Sequence, residues 1–167
     1  MRQLLAVTFT GMIAFLPISV SAETNGQALE RMCPNGASIR DLNRRIGEAD
    51  AMQDSIRYQL HYNIAREYFR CSKTIADPYL SDLATMNYST DLWVSARTNE
   101  EEDERGHTAA SAANELASAT RFDNIRKIAI SLRDMARKAA NEAHNAIYGA
   151  SEPSPSPAFV PDNTPTP

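Results

Sequence analysis

Two cysteines, Cys33 in RMCPNGAS and Cys71 in REYFRCSKTIADPYL, bracket a stretch whose apolar residues recur at helical spacing. Ile39, Leu42, Ile46, Ala49, Ile56, Leu60, Ile64 and Tyr68 follow in steps of three and four, with polar Gln53 in one slot, so they share one helical face. Ser38 with Asp41 makes an S-x-x-D capping box at the expected start. One straight helix over 38–71 is about 50 Å long at 1.5 Å per residue, and the five steps from Cys33 to Ser38 recover at most about 18 Å. A disulfide needs its Cα atoms within about 7 Å. A bridge and an unbroken helix are therefore incompatible.

The sequence offers a fold-back. Gly47 stands near the end of the first piece, and Asp50 with Gln53 supplies a second capping box, so a break is expected in or near 47–50. A helix over 38–47 followed by an antiparallel one over 51–71 returns Cys71 past Ser38, with a mismatch of about 16 Å for segment 33–38 to span. The closed loop of about 40 residues is worth roughly 3–4 kcal/mol in the chain-entropy model.

Whether the cysteines pair depends on compartment. Arg2 opens the chain, Leu4 to Leu16 is an uncharged and mostly apolar run, Pro17 breaks it, and Val20 and Ala22 occupy the −3 and −1 positions of a small-residue cleavage site. These are the parts of a secretory signal over 1–22. An uncleaved anchor is the rival reading, weakened by Gly11, Pro17 and the serines. With cleavage, the mature chain has no further apolar span and is expected to be exported, periplasmic or secreted. In such an oxidising setting two cysteines outside any C-x-x-C read as one structural disulfide; two free thiols or an intermolecular bond are the alternatives.

Downstream, residues 23–37 read as an extended segment and 38–149 as the helical domain. Asp77-Pro78 is a firm break, with Pro78 acceptable in the first turn of a new helix. Tyr79, Leu83, Met86 and Trp93 suggest an amphipathic helix weakened near Tyr88-Ser89-Thr90. The run TNEEEDERGH over 98–107 reads as a solvated surface or loop. Phe122, Ile125, Ala129, Leu132, Ala136, Ala139, Ala143 and Ala146 then step by three and four without a fault, Ile128, Met135 and Ile147 widen the stripe, and Gly149 supplies the stop. Ala109, Ala112, Leu116 and Ala119 extend it backwards with a register slip near Thr120. This 109–147 seam suits a helix packed within its own bundle or a coiled coil between chains. The last stretch, 150–167, has proline at every second or third position, which favours polyproline II or disorder over packing. The expected fold is thus all-α, a bundle of three to five helices with one intrachain disulfide and a disordered proline-rich tail.

Chemistry is sparse. The single Glu-x-x-His match, Glu104 to His107, contains Gly106 and sits in the acidic run, so it makes a poor half of a di-metal motif. His61 reads as a boundary residue and His144 as a helix-end residue. There is no G-x-S-x-G, no Cys-x-x-Cys-His and no glycine-rich phosphate loop. No catalytic residue, metal or cofactor is assigned. With a net charge of −4 the chain is a poor nucleic-acid binder. Residues 77–104 carry eight acids against Arg97 alone, while 105–148 carry seven bases against four acids, so the two regions complement each other in charge. The aromatic residues Tyr58, Tyr62, Tyr68, Phe69, Tyr79, Tyr88 and Trp93 cluster in the two middle segments, as core or as a ligand groove. Of these, Tyr79, Tyr88 and Trp93 are the candidate interaction surface. The expectation is a non-catalytic exported protein engaging an unknown protein or envelope polymer through helix faces. An exported enzyme or small-molecule or metal binder, and a homo-oligomer through 109–147, are the alternatives.

Overall fold

In a computed structural model, which describes residues 23–49 and 54–149, a helix stands within 23–37, where an extended segment was expected. In α1 (Asn25–Met32), Thr24 and Gln27 close a capping box: the Gln27 amide donates to Thr24 Oγ1 at 3.3 Å, and the Thr24 amide donates to Gln27 Oε1 at 2.9 Å. Leu29 is its one fully buried side chain. The expected signal at 1–22, the expected Asp50/Gln53 box and the proline-rich stretch at 150–167 lie outside the described residues.

A tight turn through Cys33 leads into α2 (Gly36–Ala49), which starts two residues before Ser38. The Asn35 carbonyl accepts from the amides of Ser38 and Ile39, so Ser38 already lies inside the first turn and does not cap it. Gly36 is demanded here by contact, since a Cβ would stand 1.7 Å from the Glu30 carbonyl oxygen. The chain then folds back into α3 (Asp54–Thr74), and Cys33 and Cys71 are joined with their Cα atoms 5.3 Å apart. The helix does not break at Gly47, which continues α2 on its exposed face as far as Ala49. Arg44 bridges Asp41 and Glu48 across that turn at 2.7 and 2.6 Å, supporting the glycine from its neighbours. The first leg is consequently longer than expected and the second shorter, so the two are better matched: about 20 Å for α2 against about 26 Å from Asp54 to Cys71.

Asp77 caps α4 (Pro78–Val94), accepting from the Leu80 amide at 2.9 Å, with proline in the first turn as expected. This helix is not interrupted at Tyr88-Ser89-Thr90. Ser89 is buried and its hydroxyl donates to the Thr85 carbonyl at 3.0 Å, leaving the main-chain ladder intact. The weak periodicity has a physical cause: α4 touches α1, α3, α5 and α6, so it presents no broad polar face.

The acidic run is not a loop. It opens α5 (Asn99–Ala119), where Thr98 Oγ1 accepts from the Glu101 amide at 3.3 Å and Glu100, Glu101 and Glu102 lie in the first turn. Carboxylates there face the unpaired amides and the positive end of the helix dipole. Nor do residues 109–147 form one seam: the chain breaks at Thr120–Phe122 and returns as α6 (Asp123–Tyr148), packed along α5. Ala109, Ala110, Ala113, Leu116 and Ala117 are buried on α5, and Ile125, Ala129, Leu132, Ala136, Ala140 and Ala143 on α6. Gly106 is the tightest point; a Cβ would lie 2.9 Å from Ala140 Cβ and 3.1 Å from the Ala136 oxygen. The hairpin turn is tied to α4 by the Thr120 hydroxyl, which donates to Asp82 Oδ2 at 2.6 Å.

The described residues therefore form an all-α bundle of six helices, more than the three to five expected, because α1 and the first half of α5 carried no apolar repeat. No described helix is long and apolar enough to cross a membrane.

Three glycine substitutions separate these contacts. Gly36→Ala and Gly106→Ala are each expected to destabilise by about 1–3 kcal/mol through overpacking. Gly47→Ala, with nothing within 4 Å of the new methyl, is expected to stabilise by about 0.5–1 kcal/mol. Urea unfolding midpoints read all three, and a destabilising Gly47→Ala would return the hinge to that residue.

Candidate functional site

α3 carries two stripes. Leu60, Ile64, Tyr68 and Cys71 are buried towards the core. A second row, Tyr62, Arg66, Phe69 and Lys73, steps by four, three and four along another face. Against that row α4 sets Tyr88 and Leu92. Tyr62, Ala65, Arg66, Phe69, Arg70, Tyr88 and Leu92 line a cavity of about 390 Å³. Tyr62, Tyr88 and Leu92 also line a neighbouring one of about 320 Å³ with Glu104, Arg105 and Thr108 of α5. Phe69 and Tyr88 continue into a third, of about 230 Å³, beside Lys73, Asp82, Thr85 and Glu115. Since Tyr88 lines all three, they form one surface groove along α3, α4 and α5.

The groove is aromatic within and lined by four cations, Arg66, Arg70, Lys73 and Arg105, and three carboxylates, with Arg66 and Arg70 beside Phe69 and the carboxylates in the two neighbouring cavities. The Phe69 and Tyr88 rings lie 5.1 Å apart at a tilt of 54°. The Arg105 guanidinium sits 4.5 Å over the Tyr62 ring, and Lys73 Nζ 5.2 Å over Phe69. Phe69 remains 45% exposed despite these contacts, a large apolar surface left to solvent. Burial, and secondarily the neighbouring Tyr62, pushes the Tyr88 hydroxyl above its ordinary range, so it stays a neutral donor and acceptor at physiological pH.

The cations are positioned from behind. Arg105 donates to the Ser95 carbonyl at 2.7 Å and to Glu101 at 3.0 Å. Arg70 donates to Glu67 at 2.8 Å, and Glu67 accepts from Asn35 Nδ2 at 2.7 Å, two residues from Cys33. The turn that carries the disulfide thus also orients a rim arginine. Arg66 is exposed and makes no ion pair among the described residues. Asp82, Glu104 and Glu115 are the rim's anionic members.

Of the three residues singled out in the sequence, only Tyr88 faces this groove. Tyr79 packs edge-on against Phe122 at 5.0 Å, and its hydroxyl accepts from Asn25 and Asn124. Trp93 packs on the α5–α6 alanines and donates to Glu102 at 3.2 Å. Tyr68 is core, its hydroxyl accepting from Asn43 at 3.3 Å. The residues that reasoning from sequence passed over are Arg66, Arg70 and Arg105. The second α3 stripe was the available signal for Arg66; Arg105 had none, because α5 had not been recognised.

The histidines are all paired. His61 Nδ1 lies 2.8 Å from Asp91 Oδ1 with both side chains largely buried, tying α3 to α4 beside a cavity of about 200 Å³ lined by Arg57, Tyr58, His61 and Val94. Among the described residues no hydroxyl or thiol of Ser, Thr or Cys lines it. Asp103 bridges His107 at 3.3 Å and His144 at 3.0 Å across the α5–α6 interface. Among the described residues no three His, Cys, Asp or Glu side chains are arranged to hold a metal ion. Comparison with protein-family models, curated proteins and solved structures finds no match to this chain.

Burial raises the Asp91 carboxyl above its ordinary value, against the hydrogen bond and charge of His61, which lower it. A carboxyl raised on folding contributes its full stability below the unfolded value and loses it as pH rises through the folded one. The stability of the wild type relative to Asp91→Asn is therefore expected to fall as pH rises through and above the ordinary carboxylate range. Urea titrations at several pH values measure this difference; a rise over the same window would contradict burial as the dominant cause.

Proposed function

We propose that this chain is an exported, non-catalytic helical domain that binds a partner through the groove of α3, α4 and α5. The observation that carries the reading is the half-exposed Phe69, tilted against Tyr88, with Arg66 and Arg70 lining the same cavity and Lys73 over its ring. An aromatic floor with Arg66 and Arg70 beside it suits an extended partner that brings apolar groups and negative charge together, a protein segment or an acidic envelope polymer. The groove runs over several turns of helix and is open along its length, which fits a chain better than a small metabolite.

Export rests on the parts of the secretory signal in residues 1–22 and agrees with a disulfide, the state that persists in oxidising compartments. A homo-oligomer, the alternative, would use exposed positions of α6 such as Ile128 and Met135, since the α5 and α6 alanines pack on each other.

The test is a charge reversal on the rim. In the full mature chain Arg66→Glu with Arg70→Glu is expected to reduce retention of the native envelope partner at least tenfold in quantitative pull-downs, with the unfolding midpoint nearly unchanged because both side chains are exposed. Equal retention by wild type and variant would overturn the reading.

A further inference from the structure

We infer that the groove's resident occupant is the chain's own proline-rich segment, residues 150–167, which lies across it in cis and which a partner must displace; this inference rests on the groove being a binding surface. Three observations converge on it.

The first is placement. His144 Nδ1 lies 3.0 Å from Asp103 Oδ2, which sets the last turns of α6 against the first turns of α5. Arg105, two residues on from Asp103, opens into the groove on the other flank of the same helix. At Gly149 the backbone takes φ 76°, a conformation that glycine adopts freely and that ends the helix. The chain thus leaves α6 beside the Tyr62–Arg105 end of the groove.

The second is length. Passing around α5 requires about 10 Å, and Tyr62 to Lys73 spans about 16 Å along α3. At about 3.1 Å per residue in polyproline II, the segment after Gly149 reaches roughly 50 Å, ample for both. Phe159, ten residues beyond Gly149, reaches about 31 Å and arrives at the Phe69–Tyr88 end.

The third is chemistry. The segment SEPSPSPAFVPDNTPTP carries Glu152 and Asp162 and no lysine or arginine, opposite in sign to Arg66 and Arg70, which line the Phe69–Tyr88 cavity with no carboxylate among its described lining residues. Its prolines favour the extended conformer that aromatic-lined grooves accept at low entropic cost. Tethering supplies an effective concentration on the order of millimolar, so a contact too weak to hold between molecules is populated within one.

The experiment compares the full mature chain with a full-length variant, Glu152→Lys, Phe159→Ser and Asp162→Lys, by NMR of the tyrosine and phenylalanine rings. Tyr62, Phe69 and Tyr88 are expected to shift, while Tyr68 and Tyr79, packed elsewhere, stay in place. A synthetic peptide of residues 150–167 added to the variant should move the groove signals back towards the wild-type positions. Introducing Arg66→Glu and Arg70→Glu into that variant should weaken the peptide's effect about tenfold. Unshifted groove rings would overturn the inference, as would shifts that diminish on tenfold dilution of the wild type, which would place the segment on a second copy. If the rings do not shift but envelope retention still depends on Arg66 and Arg70, the cis occupant fails alone. If retention is independent of both arginines, the partner reading fails whatever the rings do.

Discussion

The bridge between Cys33 and Cys71 is the constraint on which the rest of the arrangement depends. With Cα atoms 5.3 Å apart it fixes where α3 ends relative to the turn after α1, so α2 and α3 must run antiparallel with nearly matched lengths. Asn35 reinforces the same point by donating to both the Glu67 carbonyl and its carboxylate, at 2.8 and 2.7 Å. Gly36 lets α1 lie directly on that turn. With α3 fixed in this way its inner stripe meets α2 and α4, and its outer stripe is left to form one wall of the groove. Glu67 links the two roles, since the carboxylate held by Asn35 also holds Arg70 at the rim.

The second half of the molecule relies on close approach instead of a covalent tie. α5 and α6 meet through alanines and Gly106, which lets the backbones come near enough for many weak contacts to add up. Asp103 with its two histidines and Thr120 with Asp82 fix the two ends of that pair. α4 lies between the halves and joins them, which is why nearly all its positions are at least partly buried. The groove forms where the three helices α3, α4 and α5 meet, so no single helix contains it.

Particular residues explain what could be read beforehand. The disulfide, the Asp77-Pro78 break, the Ile125–Ala143 stripe and the Gly149 stop are local or strictly periodic signals, and each is where the sequence placed it. α1 escaped because eight residues are too few for a repeat, although Thr24 and Gln27 spell out its cap. The start of α5 escaped because an acidic run was read by its solvation, whereas the helix dipole and the Thr98 cap make those carboxylates favourable in a first turn. α4 was read as weakened near Tyr88-Ser89-Thr90 because burial on several sides erases the amphipathic period. The groove was the least legible: Arg66 and Phe69 are neighbours in the outer stripe of α3, but Tyr88 and Arg105 join them only through tertiary packing.

The central claim, that the bridge sets the fold-back and stabilises it, is tested most directly by equilibrium urea unfolding of the oxidised protein against Cys33→Ser with Cys71→Ser. The account predicts a loss of roughly 3–4 kcal/mol for a closed loop of this length, with helical content retained in the folded variant. A difference below about 1 kcal/mol would mean that packing alone holds α2 and α3 together, and would contradict it.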